Sequence, residues 1–163
     1  MRGIGRITTR ALGAVLIALA VAGPAFADDL GDGVEAFDGG DYAEALAAWT
    51  RASDAGNTRA MSAIANLYRQ GLGVRADPAR ATAWYRRAAE RGDAVAQLNL
   101  GDMYAGGTSV PRDLVAAYVW LGLAAGQGHA WAAERRDEIG RALTTDDRAR
   151  AEVRIRAWRA KTD

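Results

Sequence analysis

Apolar side chains return every three or four positions through most of this chain, the spacing of helices that each bury one stripe. Ala81, Trp84, Tyr85 and Ala88 stand at i, i+3, i+4 and i+7, and Ala96, Leu100, Met103 and Tyr104 form a second such stripe. Glycines punctuate the stripes. Gly92 separates these two, and glycine tolerates the left-handed backbone that closes many helices. Asp77 precedes the first stripe with Pro78 behind it, an N-cap followed by the residue whose missing N–H costs nothing at the first helical position.

The same marks recur every 36 residues. Gly56, Gly92 and Gly128 coincide under that shift, as do Asp41, Asp77 and Asp113, and the alanines at 45, 81 and 117. Tyr68 matches Tyr104, and Trp84 and Trp120 share a slot held in the first copy by Ala48. Asp41 with Glu44 has the spacing of a capping box. One helix pair cannot bury its own faces, so near-copies must stack to make a continuous core. The pattern predicts an all-α fold: a right-handed α-solenoid of helix-turn-helix repeats in three copies, 41–76, 77–112 and 113–143. A short helix in 28–40, with Leu30, Val34 and Phe37 facing inward, is expected to cover one end. A capping helix over 144–163 covers the other, with Thr144 and Asp147 at its start and Ala151, Ile155 and Trp158 on its inner face.

The repeats leave the beginning of the chain unexplained. Arg2, Arg6 and Arg10 precede the uncharged run 11–23, followed by Ala25-Phe26-Ala27. A positive start, a short apolar stretch and a small-x-small site read as a Sec-type secretory signal, with cleavage after Ala27 and a periplasmic or secreted destination in a bacterium. No membrane insertion is expected after cleavage. Removing the three arginines leaves 18 Lys plus Arg against 20 Asp plus Glu, a net of −2, which argues against nucleic acid as a partner. The chain has no cysteine, so no disulfide supports it and a packed core must.

The stretch ATAWYRRAAERGDAVAQLNLGDMYAGG, Ala81 to Gly107, resembles the Sel-one-like repeat (SLR) family, helical relatives of the tetratricopeptide repeats. The similar region runs from about Asp41 to about Asp137, with the middle copy matching best. The first copy departs at Ala48, Trp49 and Ala65, and the third at Arg136 and Gly140, where the pattern asks for apolar and aromatic residues. The resemblance implies a scaffold that binds another protein or peptide, with no activity of its own. Some cysteine-rich members of that family are linked to β-lactam binding or hydrolysis, and their disulfide framework has no counterpart here.

Candidate chemistry is sparse. The single histidine, His129, occupies the turn slot of Asn57 and Asp93, which leaves no histidine for a nucleophilic triad and too few ligands for zinc. No metal, cofactor or catalytic residue is expected. The glycines at 71–73 and 106–107 lack the strand and the Lys-Ser/Thr ending of a phosphate loop. What remains is a surface: Arg80, Trp84, Arg87 and Arg91 at i, i+4, i+7 and i+11, Arg51 one repeat before Arg87, and Tyr118 and Trp120 as further anchors. If the first helix of each pair lines the concave side, this stripe receives a partner's acidic or extended segment. The alternative is a cell-wall enzyme or regulator that holds glycan or peptide, with Asp54 or Glu90 doing chemistry. A monomer is expected, with self-association through an imperfect end cap as the competing outcome.

Overall fold

The computed structural model describes residues 25–162, and helices are the only regular secondary structure among them. They are α1 (Ala25–Asp38), α2 (Tyr42–Asp54), α3 (Thr58–Gln70), α4 (Pro78–Ala89), α5 (Ala94–Gly106), α6 (Leu114–Gly126), α7 (Ala130–Ala142) and α8 (Thr145–Thr162). The expected leader lies outside the described residues except for its last three, 25–27, which open α1.

Local chemistry sets the helix ends. The side chains of Asp41, Asp77 and Asp113 accept the N–H three residues on at 3.1, 2.9 and 2.9 Å, and Asn57 and Asp93 do the same for α3 and α5 at 3.1 and 2.7 Å. Gly71 and Gly107 close α3 and α5 at φ 74° and 70°, and Gly56, Gly92 and Gly128 reverse the chain at φ 92°, 90° and 93°. His129 is the N-cap of α7 and makes no side-chain capping bond.

The closest helix partnerships are α1 with α2, α3 with α4, and α5 with α6; packing across the turns at Gly56, Gly92 and Gly128 is looser. Two of these tight pairs, α3 with α4 and α5 with α6, span the seven-residue loops 71–77 and 107–113, while α1 meets α2 across the short turn 39–41. Within each copy the Trp-Tyr slot divides into two environments: Trp49, Tyr85 and Leu121 are buried, whereas Trp84 and Trp120 in the neighbouring slot are half-buried. Tyr68 and Trp84 pack at the seam between the core around Trp49 and Ile64 and the core around Tyr85 and Leu100, and Tyr104 and Trp120 at the seam between the latter and the core around Leu121 and Ile155.

Both ends are capped, one of them differently in detail from the sequence pattern. On α1 the inner face runs through Leu30, Gly33 and Phe37, because Gly33 lies against the Trp49 indole where no Cβ fits. That indole donates to the Leu30 carbonyl at 3.3 Å. Val34, expected to face inward, is 47% exposed. At the other end α8 lies over α6, joined to α7 by only Leu143 and Thr144. Ile155 seats on Gly122, where a Cβ would come within 2.5 Å of its Cδ1, and Gly126 is covered by the Arg159 guanidinium. These glycines occupy the slots that Arg86 and Glu90 hold on and beside α4 one repeat earlier, so α6 is open to a covering helix where α4 is not. Gly140 in turn makes room for the Tyr118 ring.

Candidate interaction surface

The structure brings four of the expected residues together on and just beyond α4. Arg80 lies over the Tyr68 ring, 5.5 Å from its centroid, and is tethered to Asp77 at 3.3 Å. Arg87 lies over Trp84 at 5.2 Å. Such stacking holds a guanidinium against an aromatic face while its N–H edges stay available to a carboxylate. Arg91 falls past the end of α4, in the turn, and its Nη1 donates to the Arg87 carbonyl at 3.2 Å. Arg86 extends the cationic surface sideways through a 3.0 Å bond to the Tyr104 hydroxyl.

Two concavities flank this row. Arg80 borders one of about 570 Å³, formed with Tyr68, Val74, Arg75 and Pro78. Arg91 borders another of about 370 Å³, with Gln97, Gln127, Trp158 and Arg159 in its wall. Gln97 is buried but satisfied, donating to the Ala89 carbonyl at 3.2 Å and accepting from Gln127 at 2.9 Å. The row thus links two clefts across on the order of 16 Å, eleven residues at helical rise.

The other three expected residues stand apart. Arg51 is held by Asp29 of α1 at 2.8 Å and belongs to the N-terminal cap. Tyr118 is buried and donates to Glu152 of α8 at 2.8 Å, so it anchors the C-terminal cap and offers no ring to a partner. Burial first, and then that bond, push its hydroxyl pKa above the usual tyrosine value. Trp120 is covered edge-on by Trp158, with ring centroids 5.4 Å apart. The third copy's version of the stripe is therefore already occupied by the protein's own last helix.

Sequence reasoning treated Tyr68 and Tyr104 as scaffold and did not see them backing Arg80 and Arg86. Their recurrence at 36 residues, each on a helix adjoining the arginine-rich α4, was the available signal. It also missed Trp131 and Val95, one repeat apart and exposed by 53% and 45%. Among the described residues no cluster of three or more His, Cys, Asp or Glu could hold a metal, and no helix is long and apolar enough to cross a membrane. Asp54 and Glu90 occupy equivalent slots one repeat apart, both exposed.

The Sel1 repeat family profile matches residues 58–93 and 94–129. Among solved structures, the chain is similar to c5321, a protective antigen present in uropathogenic Escherichia coli strains displaying an SLR fold, at 27% identity and a TM-score of 0.75, over 82% of this chain and 29% of that one. It is also similar to a Sel1 repeat protein from Oxalobacter formigenes, at 36% identity and a TM-score of 0.63, over 66% of this chain and 44% of that one. The chain thus spans less than half the length of either protein. No curated protein matches. The matched repeats begin at α3 and α5, which makes α4 the second helix of its repeat. The rule that places first helices on the concave side therefore does not apply to the arginine row, whose standing rests on its exposure and its flanking clefts.

Proposed function

From the premise that this chain is built of Sel1 repeats, which generally serve as protein-interaction scaffolds, we propose that it is an exported, non-catalytic scaffold whose α4 surface receives an acidic, extended peptide segment of a partner protein. One observation carries the reading: Arg80 and Arg87, held on aromatic faces, form with Arg91 a row that connects two clefts. A span of about 16 Å matches about five extended residues. Carboxylates placed along it would meet Arg80, Arg87 and Arg91 in turn, with Trp84 supplying apolar contact between them. Export rests on the three N-terminal arginines, the apolar run and the Ala-Phe-Ala site.

Photocrosslinking in cells from positions 84, 87 and 91, followed by mass spectrometry, tests the surface. Capture of a partner through an acidic segment supports it; capture from Val95 and Trp131 on α5 and α7 with none from α4 overturns it. Incubation of purified protein with peptidoglycan tests the absence of catalysis, and released fragments would contradict it.

A further inference from the structure

The outer faces of the two terminal helices carry opposite charge. On α1 the residues turned away from α2 are Asp28, Asp32, Val34, Glu35 and Asp38, all exposed, with no basic residue anywhere in the helix. On α8 the residues turned away from α6 centre on Val153, which is 56% exposed, with Ala149 and Ala157 one turn to either side. Arg150, Arg154, Arg156 and Lys161 surround this strip, and Asp146 is the acidic residue on it. Arg150 is occupied by Asp147 of its own helix. The side chains of Arg154, Arg156 and Lys161 have no ion-pair or hydrogen-bond partner among the described residues, and neither have those of Asp32, Glu35 and Asp38.

Each face alone is a solvated helix surface with one exposed valine. Together they match in three respects. They lie at opposite ends of the stack, since α1 packs on α2 and α8 on α6. Their charges are opposite, so the two ends attract each other and like ends repel. Each has an exposed valine beside its charged residues, and Val34 and Val153 are two of the four large hydrophobic residues most exposed among the described residues. Helical repeats bury their faces by stacking on neighbours, and a contact between unlike ends leaves a free end of each kind.

We propose that copies of this chain associate end to end, with the acidic outer face of α1 on one copy docked against the basic outer face of α8 on the next. The contact is heterologous and does not close, so it builds a short chain of solenoids. It leaves α4 uncovered, and each added copy repeats the arginine row along the assembly. This inference does not depend on what the α4 row binds.

The charge pattern supplies its own test. Sedimentation of purified protein should show an average mass that rises with concentration past that of a dimer, and about tenfold weaker association between 50 and 500 mM salt, as the Debye length shrinks. The variants Asp32→Lys/Glu35→Lys and Arg154→Glu/Arg156→Glu should each stay monomeric alone, since the first cancels the net charge of the acidic face and the second reverses that of the basic face. Mixed at equal concentration they should associate again. Circular dichroism establishes that both remain folded. Because the chain has no cysteine, Val34→Cys and Val153→Cys copies can be mixed and oxidised, and the 34–153 crosslink should dominate over 34–34 and 153–153. A monomer at every concentration, or a closed dimer crosslinked between like ends, overturns the proposal, as does a mixture that fails to associate.

Discussion

Glycines with the same helical backbone play opposite parts according to what lies within reach of a Cβ. Gly31 has nothing within 4 Å, whereas at Gly101 a Cβ would stand 2.7 Å from Leu121 Cγ. Gly31→Ala should therefore stabilise the protein by about 0.5–1 kcal/mol through helix propensity. Gly101→Ala should destabilise it by about 1–3 kcal/mol, as α6 is forced away from α5. Urea unfolding of both variants checks the pair. Tyrosine shows the same dependence on surroundings. Burial raises the hydroxyl pKa of Tyr85 above 10.0, with Arg69 opposing, and burial with the Glu152 bond raises that of Tyr118. A raised folded-state pKa means that the native protein keeps a proton the unfolded chain releases, so this stability is fully present below about pH 10 and declines above it. Ultraviolet titration should show two of the five tyrosines ionising late, and the Tyr85→Phe/Tyr118→Phe double variant should lose that late phase.

At the scale of the element, capping explains why equivalent helices differ in how firmly they start. Asp93 caps α5 and also accepts from Ser62 of α3 at 2.9 Å, tying adjacent repeats together. Asp93→Ala should cost about 1–2 kcal/mol. The same slot at α7 holds His129 without a capping bond, so His129→Asp should gain about 0.5–1 kcal/mol by thermal unfolding. The caps were legible because a short polar residue before an apolar stripe has one local role. The inward face of α1 was not. Gly33 rather than Val34 meets the core because of a Trp49 indole sixteen residues away, and no spacing rule within α1 contains that information.

For the whole molecule, binding at α4 should follow electrostatics. An acidic peptide should bind at low salt and weaken as salt rises, and Arg87→Glu/Arg91→Glu should lower its affinity about tenfold or more in fluorescence anisotropy. A neutral peptide of the same length should not respond to either change. Hydrogen exchange should be slowest in α4, α5 and α6, whose buried faces have neighbours on both sides, and faster in α1. Arg80, Trp84, Arg87 and Arg91 form one surface, while Tyr118 and Trp120 were claimed by a helix that lies beyond the repeats in sequence and over them in space.

The amino-acid sequence alone determined the period, the class of fold, the positions of turns and caps and the resemblance to Sel1 repeats, because each follows from interactions within a few residues or from comparing one copy with the next. The tertiary structure decided which helices pair most closely, where α8 lies, and hence which aromatic slots stay open. Those outcomes depend on contacts between residues far apart in the chain, such as Ile155 on Gly122 and Trp158 on Trp120. A 36-residue repeat makes its copies equivalent in sequence, and only the stacking, which must end somewhere, makes them different.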